Sequence, residues 1–198
     1  MIKFIKMLEY DLRNKGENLD FEWVTNVTLQ KEDPESLNPG GLKQIKDAEI
    51  VFHSPLRRVV QCLPDISGIQ MICLNSLREI QFDLRKFCTE EEFLEKGSVI
   101  VRRQFKDFLI QDKLLIPRNK IFQEVKEVLK FCVESQVSMI AVVSHSFRLS
   151  MIEAFIETGG TIETNPSLIH GFIFDDRKRF DFGEGFTVDR SQILRIIG

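Results

Sequence analysis

Apolar positions along this chain fall into two rhythms, and the switch between them outlines the elements. Compact apolar runs at residues 2–8, 48–52, 69–74 and 137–143 predict strands. The run at 137–143 is nearly continuous, as expected of a strand covered on both faces at the centre of a sheet. Helical spacing takes over elsewhere. After Gly97, Val101, Phe105, Phe108 and Leu109 share one helical face. After Pro117, so do Ile121, Val125, Val128, Leu129 and Cys132. Phe147, Met151, Ala154 and Phe155 mark a further helix that ends near Gly159-Gly160.

Local signals add detail. Pro55 suits a first helical turn and predicts a helix over 55–63. Thr89 followed by Glu90, Glu91 and Glu92 offers a hydroxyl cap and an acidic first turn. Gly40-Gly41 opens a short helix reaching Lys46. Residues 14–39 are polar and predict mostly loop. Residues 168–174 and 178–182 flank Asp175-Asp176-Arg177 in a hairpin pattern. From Thr187 onward the pattern favours no element.

Strands alternating with helices predict an α/β fold, a three-layer α/β/α sandwich with a mostly parallel central sheet. A length of 198 residues fits one domain covering 1–198. In such sheets, ligands gather beyond the carboxyl ends of the strands. Lys6, Met7, Ser54, Arg58 and His145 all end or follow predicted strands, so they are expected to converge on one rim.

Composition narrows the function classes. A hydrophobic fraction of 43% supplies a sizeable core, and a net charge of −3 leaves no footprint for nucleic acid as a partner. No run approaches the ~18 apolar residues of a membrane span. Lys3, Lys6 and Glu9 interrupt the first apolar run, which argues against a signal peptide. The cysteines Cys62, Cys73, Cys88 and Cys132 form no Cys-x-x-Cys pair and lie in apolar segments. They are expected to be reduced core thiols, with no metal site and a cytoplasmic location. Gly-x-x-x-x-Gly-Lys, Gly-x-Ser-x-Gly and His-Glu-x-x-His are all absent, and no cofactor is expected.

Five segments carry candidate chemistry. Ser54-Pro-Leu-Arg-Arg58-Val-Val-Gln61 places an arginine in the first turns of a helix, where free amides and a guanidinium fork suit phosphate oxygens. Ser144-His145-Ser146 follows the most apolar strand, with Arg148 nearby to add charge. Leu77-Arg-Glu79-Ile-Gln-Phe82 holds an acid after a strand. Leu37-Asn-Pro-Gly-Gly41-Leu-Lys-Gln44 is a turn and helix start, and Lys6-Met7-Leu8-Glu9 closes the first strand.

Together these segments resemble the phosphate pocket of the histidine phosphatase (phosphoglycerate mutase-like) superfamily. The likeness runs from Ile2 to about Phe174. It implies a phosphoglycerate mutase-like fold and phosphate binding by Arg58, His145 and Lys6. It also implies catalytic roles for His145, against the transferred phosphoryl group, and for Glu79, as proton donor to the leaving oxygen. The first segment departs most. The family reads Arg-His-Gly there, and its histidine becomes phosphorylated; this chain reads Lys6-Met7-Leu8. A thioether has no proton to exchange and is a poor nucleophile toward phosphorus. Lys6 keeps the charge but loses the fork, and Leu8 crowds a place where glycine allows close approach. Ser146, Asp83, Cys62 and Asn38 also replace the family's usual residues, and its Trp-Glu-Gly is not found at Leu84-Arg85-Lys86.

The expectation is a pseudoenzyme: a phosphatase-like protein with a remnant pocket for phosphate or a phosphorylated small molecule, impaired by Met7. Two alternatives stand beside it. One is an active phosphomonoesterase that uses His53 or His145 in a new role, or direct attack by water. The other is a protein-interaction scaffold with no ligand.

Overall fold

The most apolar run forms the strand on which the sheet is organised. A computed structural model of the chain describes residues 1–6, 20–36, 39–172 and 183–198. Strand β4 (Ile140–Ser144) is buried at every position. It pairs in parallel with β1 (Ile2–Lys6) on one side and with β2 (Ile50–His53) on the other. β3 (Gln70–Cys73) adds in parallel to β2, and β5 (Gly185–Val188) adds antiparallel to β1. The described residues therefore form an α/β fold around a five-stranded, mostly parallel sheet in the order β3-β2-β4-β1-β5.

Alternation along the strands sends neighbouring side chains to opposite faces. Phe4, Phe52, Ile140 and Val142 enter the larger core cluster. Ile5, Val51, Ala141 and Val143 enter a smaller one with Leu42, Ile45 and Val59. Both faces are thus covered, an arrangement compatible with three layers. The larger face packs helices α4 (Ser98–Ile110), α5 (Arg118–Glu134) and α6 (Ser146–Glu157). The smaller is closed by a 3₁₀ turn at Lys43–Ile45 and by the single turn α2 (Arg57–Val60).

Helix α3 (Glu90–Lys96) starts with the expected Thr89 cap, completed as a capping box by Glu92. Elsewhere the structure corrects the reading. Residues 14–39, expected as loop, contain helix α1 (Phe21–Thr28). Asp20 Oδ1 accepts from the amides of Glu22 and Trp23 at 2.9 and 3.1 Å, and Val24 is buried beneath. The stretch from 168, expected as a strand, is a 3₁₀ helix at Pro166–Gly171 because Pro166 opens a helical turn and Ile169 anchors it in the core. The tail forms β5 and α7 (Arg190–Ile197), with Phe186 stacked on Phe4 at 4.6 Å between ring centres. The cysteines are free, but Cys73 is exposed, not in the core, because it ends a strand that has a partner on one side only among the described residues. Met7, Leu8, Glu9, Leu37, Asn38 and the expected hairpin turn 175–177 lie outside the described residues. No helix among the described residues is long and apolar enough to cross a membrane.

Candidate anion-binding site

Parallel pairing brings three strand ends to one rim. Lys6 lies opposite Ser144, and His53 lies opposite Val143. The Ser54 amide, one residue further, donates to the Val143 carbonyl at 3.1 Å. His145 follows as the first residue beyond β4 and stands at the N-terminus of α6. Its Nε2 is hydrogen-bonded to Ser54 Oγ at 2.9 Å, which ties the end of β2 to the end of β4. Ser54 is fully buried, so its hydroxyl orients the imidazole and does not face an incoming ligand.

Charge gathers around that ring. Lys6 and Arg148 are each 1% exposed, His145 4% and Arg58 8%. Burial holds the His145 pKa well below its ordinary value, and the charges of Arg58, Arg148, Arg78 and Lys6 push it further down. The imidazole is therefore neutral at pH 7, in a field set by four cations. The structure thus brings together Lys6, Arg58 and His145 and adds Arg78, which the sequence reading did not single out. Arg148 contributes charge more than contact. Its fork is directed inward, to Glu124 Oε2 at 2.6 Å and to the Arg78 carbonyl at 2.9 Å.

Glu79 reaches the same rim as a cap. Its Oε1 accepts from the amides of Ile80 and Arg148, both at 3.0 Å, and its Oε2 accepts from the Phe147 amide at 3.2 Å. The side chain thus satisfies the opening amides of α6 across nearly seventy residues of sequence. Burial raises its pKa, and the three amides and Arg58 oppose that rise. The residue as a whole reaches the surface in part, while its carboxylate is enclosed. A proton on this carboxyl would convert one acceptor oxygen into a donor and displace an amide.

Arg58 holds an anion from the chain itself. Its Nη1 donates to Asp33 Oδ1 at 3.1 Å, while Asp33 Oδ2 accepts from the Arg57 amide at 2.5 Å. The Arg57 side chain pairs with Glu35. The Ser36 amide donates to Gln61 Oε1 at 2.7 Å, so the glutamine of the Ser-Pro-Leu-x-Arg segment anchors the acidic stretch. No spacing rule marked Asp33, which stands 25 residues from its partner.

His53 Nδ1 lies 3.0 Å from the Ser54 carbonyl, a backbone contact that leaves its ring buried in the sheet end. His170 is exposed on the 3₁₀ helix at Pro166–Gly171. No group of three metal-ligating side chains occurs among the described residues. A groove of about 650 Å³ lies at the opposite end of α6, lined by Lys126, Phe155, Glu163 and Ile197, and shares no residue with the rim formed by Lys6, Ser54, Arg58, Glu79 and His145. Family models give no match to this sequence, and a search of curated proteins finds none similar.

Proposed function

We propose that this chain is a histidine phosphatase-like protein of three-layer, phosphoglycerate mutase-like architecture, with a remnant phosphate pocket and without phosphohistidine turnover. Its ligand is phosphate or a phosphorylated small molecule. One observation carries the reading: a buried, neutral His145 whose ring senses Arg58, Arg148, Arg78 and Lys6 together. Like charges held near one another in a low dielectric repel, and although Asp33 and Glu124 pair with Arg58 and Arg148, the field that reaches His145 stays positive and suits an anion. The chemistry is limited by Met7, at the position where the resemblance calls for the phosphorylated histidine. Covalent catalysis splits one difficult displacement into two easier ones, and a thioether does not open that route. Electrostatic stabilisation of a bound phosphate survives its loss.

Thermal denaturation with phosphate, sulfate and sugar phosphates tests the reading. A bound anion raises the midpoint by mass action, and Arg58→Ala abolishes the shift. Incubation with a phosphate ester leaves no acid-labile phosphoprotein. Absence of any shift with every anion would favour the scaffold alternative, and a trapped acid-labile phosphoenzyme would restore ordinary phosphatase chemistry.

A further inference from the structure

The guanidinium assigned to phosphate is already in contact with a carboxylate. Asp33 meets Arg58 with one oxygen and the Arg57 amide with the other, a two-point grip on the N-terminal side of the Ser54–Gln61 segment. An oxyanion shared between a guanidinium and a backbone amide makes the same contacts that a phosphate there would make. The segment carrying Asp33 is fastened at its far end by Ser36, whose amide is held by Gln61 and whose hydroxyl contacts Cys62. Both anchors belong to the same α2 region as the arginines, so Asp33 is delivered to Arg58 by a short tether.

We propose that Asp33 is a tethered competitor for the anion seat on Arg58, and that it selects which ligands enter. The proposal rests on the phosphate-pocket reading above. Tethering gives the carboxylate an effective concentration of millimolar or more, so it holds the seat against dilute free anions. A free monocarboxylate such as acetate offers Arg58 the same headgroup without the tether and gains nothing by exchange. A phosphomonoester dianion differs. It replaces the contact to Arg58 and brings a second negative charge into the field of Lys6 and Arg78 that acts at the rim. Asp33 therefore restricts the pocket to dianions, and it lowers apparent phosphate affinity by the fraction of time it is seated. Side-chain exposures of 10% for Arg58 and 32% for Asp33 put this ion pair at the strong end of the partly exposed class. Its worth of about 1 kcal/mol corresponds to about a fivefold change in affinity.

Calorimetric titration of inorganic phosphate into the full chain tests this, comparing the parent with Asp33→Asn and Glu35→Gln. Asparagine keeps an acceptor for the Arg57 amide and loses the competing charge. Glu35→Gln removes an equal charge from the same segment, but its carboxylate contacts Arg57 and not Arg58. The expected result is about fivefold tighter phosphate binding by Asp33→Asn, with Glu35→Gln close to the parent. Binding seen only in Asp33→Asn supports the same conclusion, and Asp33→Ala gives the same ordering if the asparagine itself occupies the seat. Equal tightening by both charge removals would reduce the effect to bulk electrostatics and overturn the proposal. So would weaker or unchanged binding in the Asp33 variants, while phosphate binding by the parent would leave the pocket reading intact. If the parent and every variant ignore phosphate, the pocket reading falls with it.

Discussion

Acidification is the sharpest probe of His145. The unfolded chain takes up a proton on this histidine near the ordinary 6.5, whereas the folded chain resists it, because burial and then Arg58, Arg148, Arg78 and Lys6 hold the folded value well below. A depressed histidine contributes stability that is present above the unfolded pKa and is lost as pH falls through it. The loss between about pH 7 and about pH 5.5 depends only on the unfolded value, as long as the folded ring stays neutral. It amounts to about 1.2 kcal/mol, from the limiting slope of about 1.4 kcal/mol per pH unit. Glu79 acts with the opposite sign. Its raised value means that acidification toward the ordinary 4.5 favours the folded state, which offsets part of the loss in the total curve. Comparison with His145→Gln isolates the histidine, since both proteins keep Glu79 and glutamine can still reach Ser54. Urea unfolding at the two pH values should show the parent losing about 1.2 kcal/mol more than the variant. Equal losses in the two proteins would mean that the imidazole titrates normally, and the cationic cluster around it would not exist as described.

Two further outcomes check the supports of the site. Glu79→Ala leaves the amides of Ile80, Phe147 and Arg148 without their acceptor and should cost about 2 kcal/mol of stability, read from the urea midpoint; a variant as stable as the parent would remove Glu79 from the role of cap. Arg148→Met leaves Glu124, whose side chain is 18% exposed, with the more distant Lys120 ammonium at 3.9 Å in place of its close guanidinium, and should cost about 3 kcal/mol, while the double variant with Glu124→Leu recovers part of that loss. Strict additivity in that cycle would show that the pair is not coupled.

One residue links the helix cap to the charge at the rim. Glu79 accepts from the α6 amides and senses Arg58, so the carboxylate that fixes the helix carrying Arg148 also moderates the positive field at the rim. A change in its protonation therefore acts on the first turn of α6, which Phe147 and Arg148 anchor to it and which His145 opens.

Local rules reached a long way in this chain. The apolar run before Ser144 was enough to mark a covered strand, Thr89 with Glu92 was enough to mark a helix start, and the strand-end rule was enough to bring Lys6, Ser54, Arg58 and His145 to one rim. These signals work because periodicity and capping act over one or two turns of chain. Helix α1 escaped because its cap, Asp20, sits in a polar stretch and its buried face is little more than Val24 and Thr25. β5 escaped because an edge strand at the chain's end is defined by the partner that it finds, with Phe186 meeting Phe4 across nearly the whole sequence. Asp33 on Arg58 and Glu79 on α6 were decided only by the tertiary fold. Contacts between residues 25 or 69 positions apart leave no period to read, since parallel register and crossover geometry alone determine which charges end up within hydrogen-bonding distance.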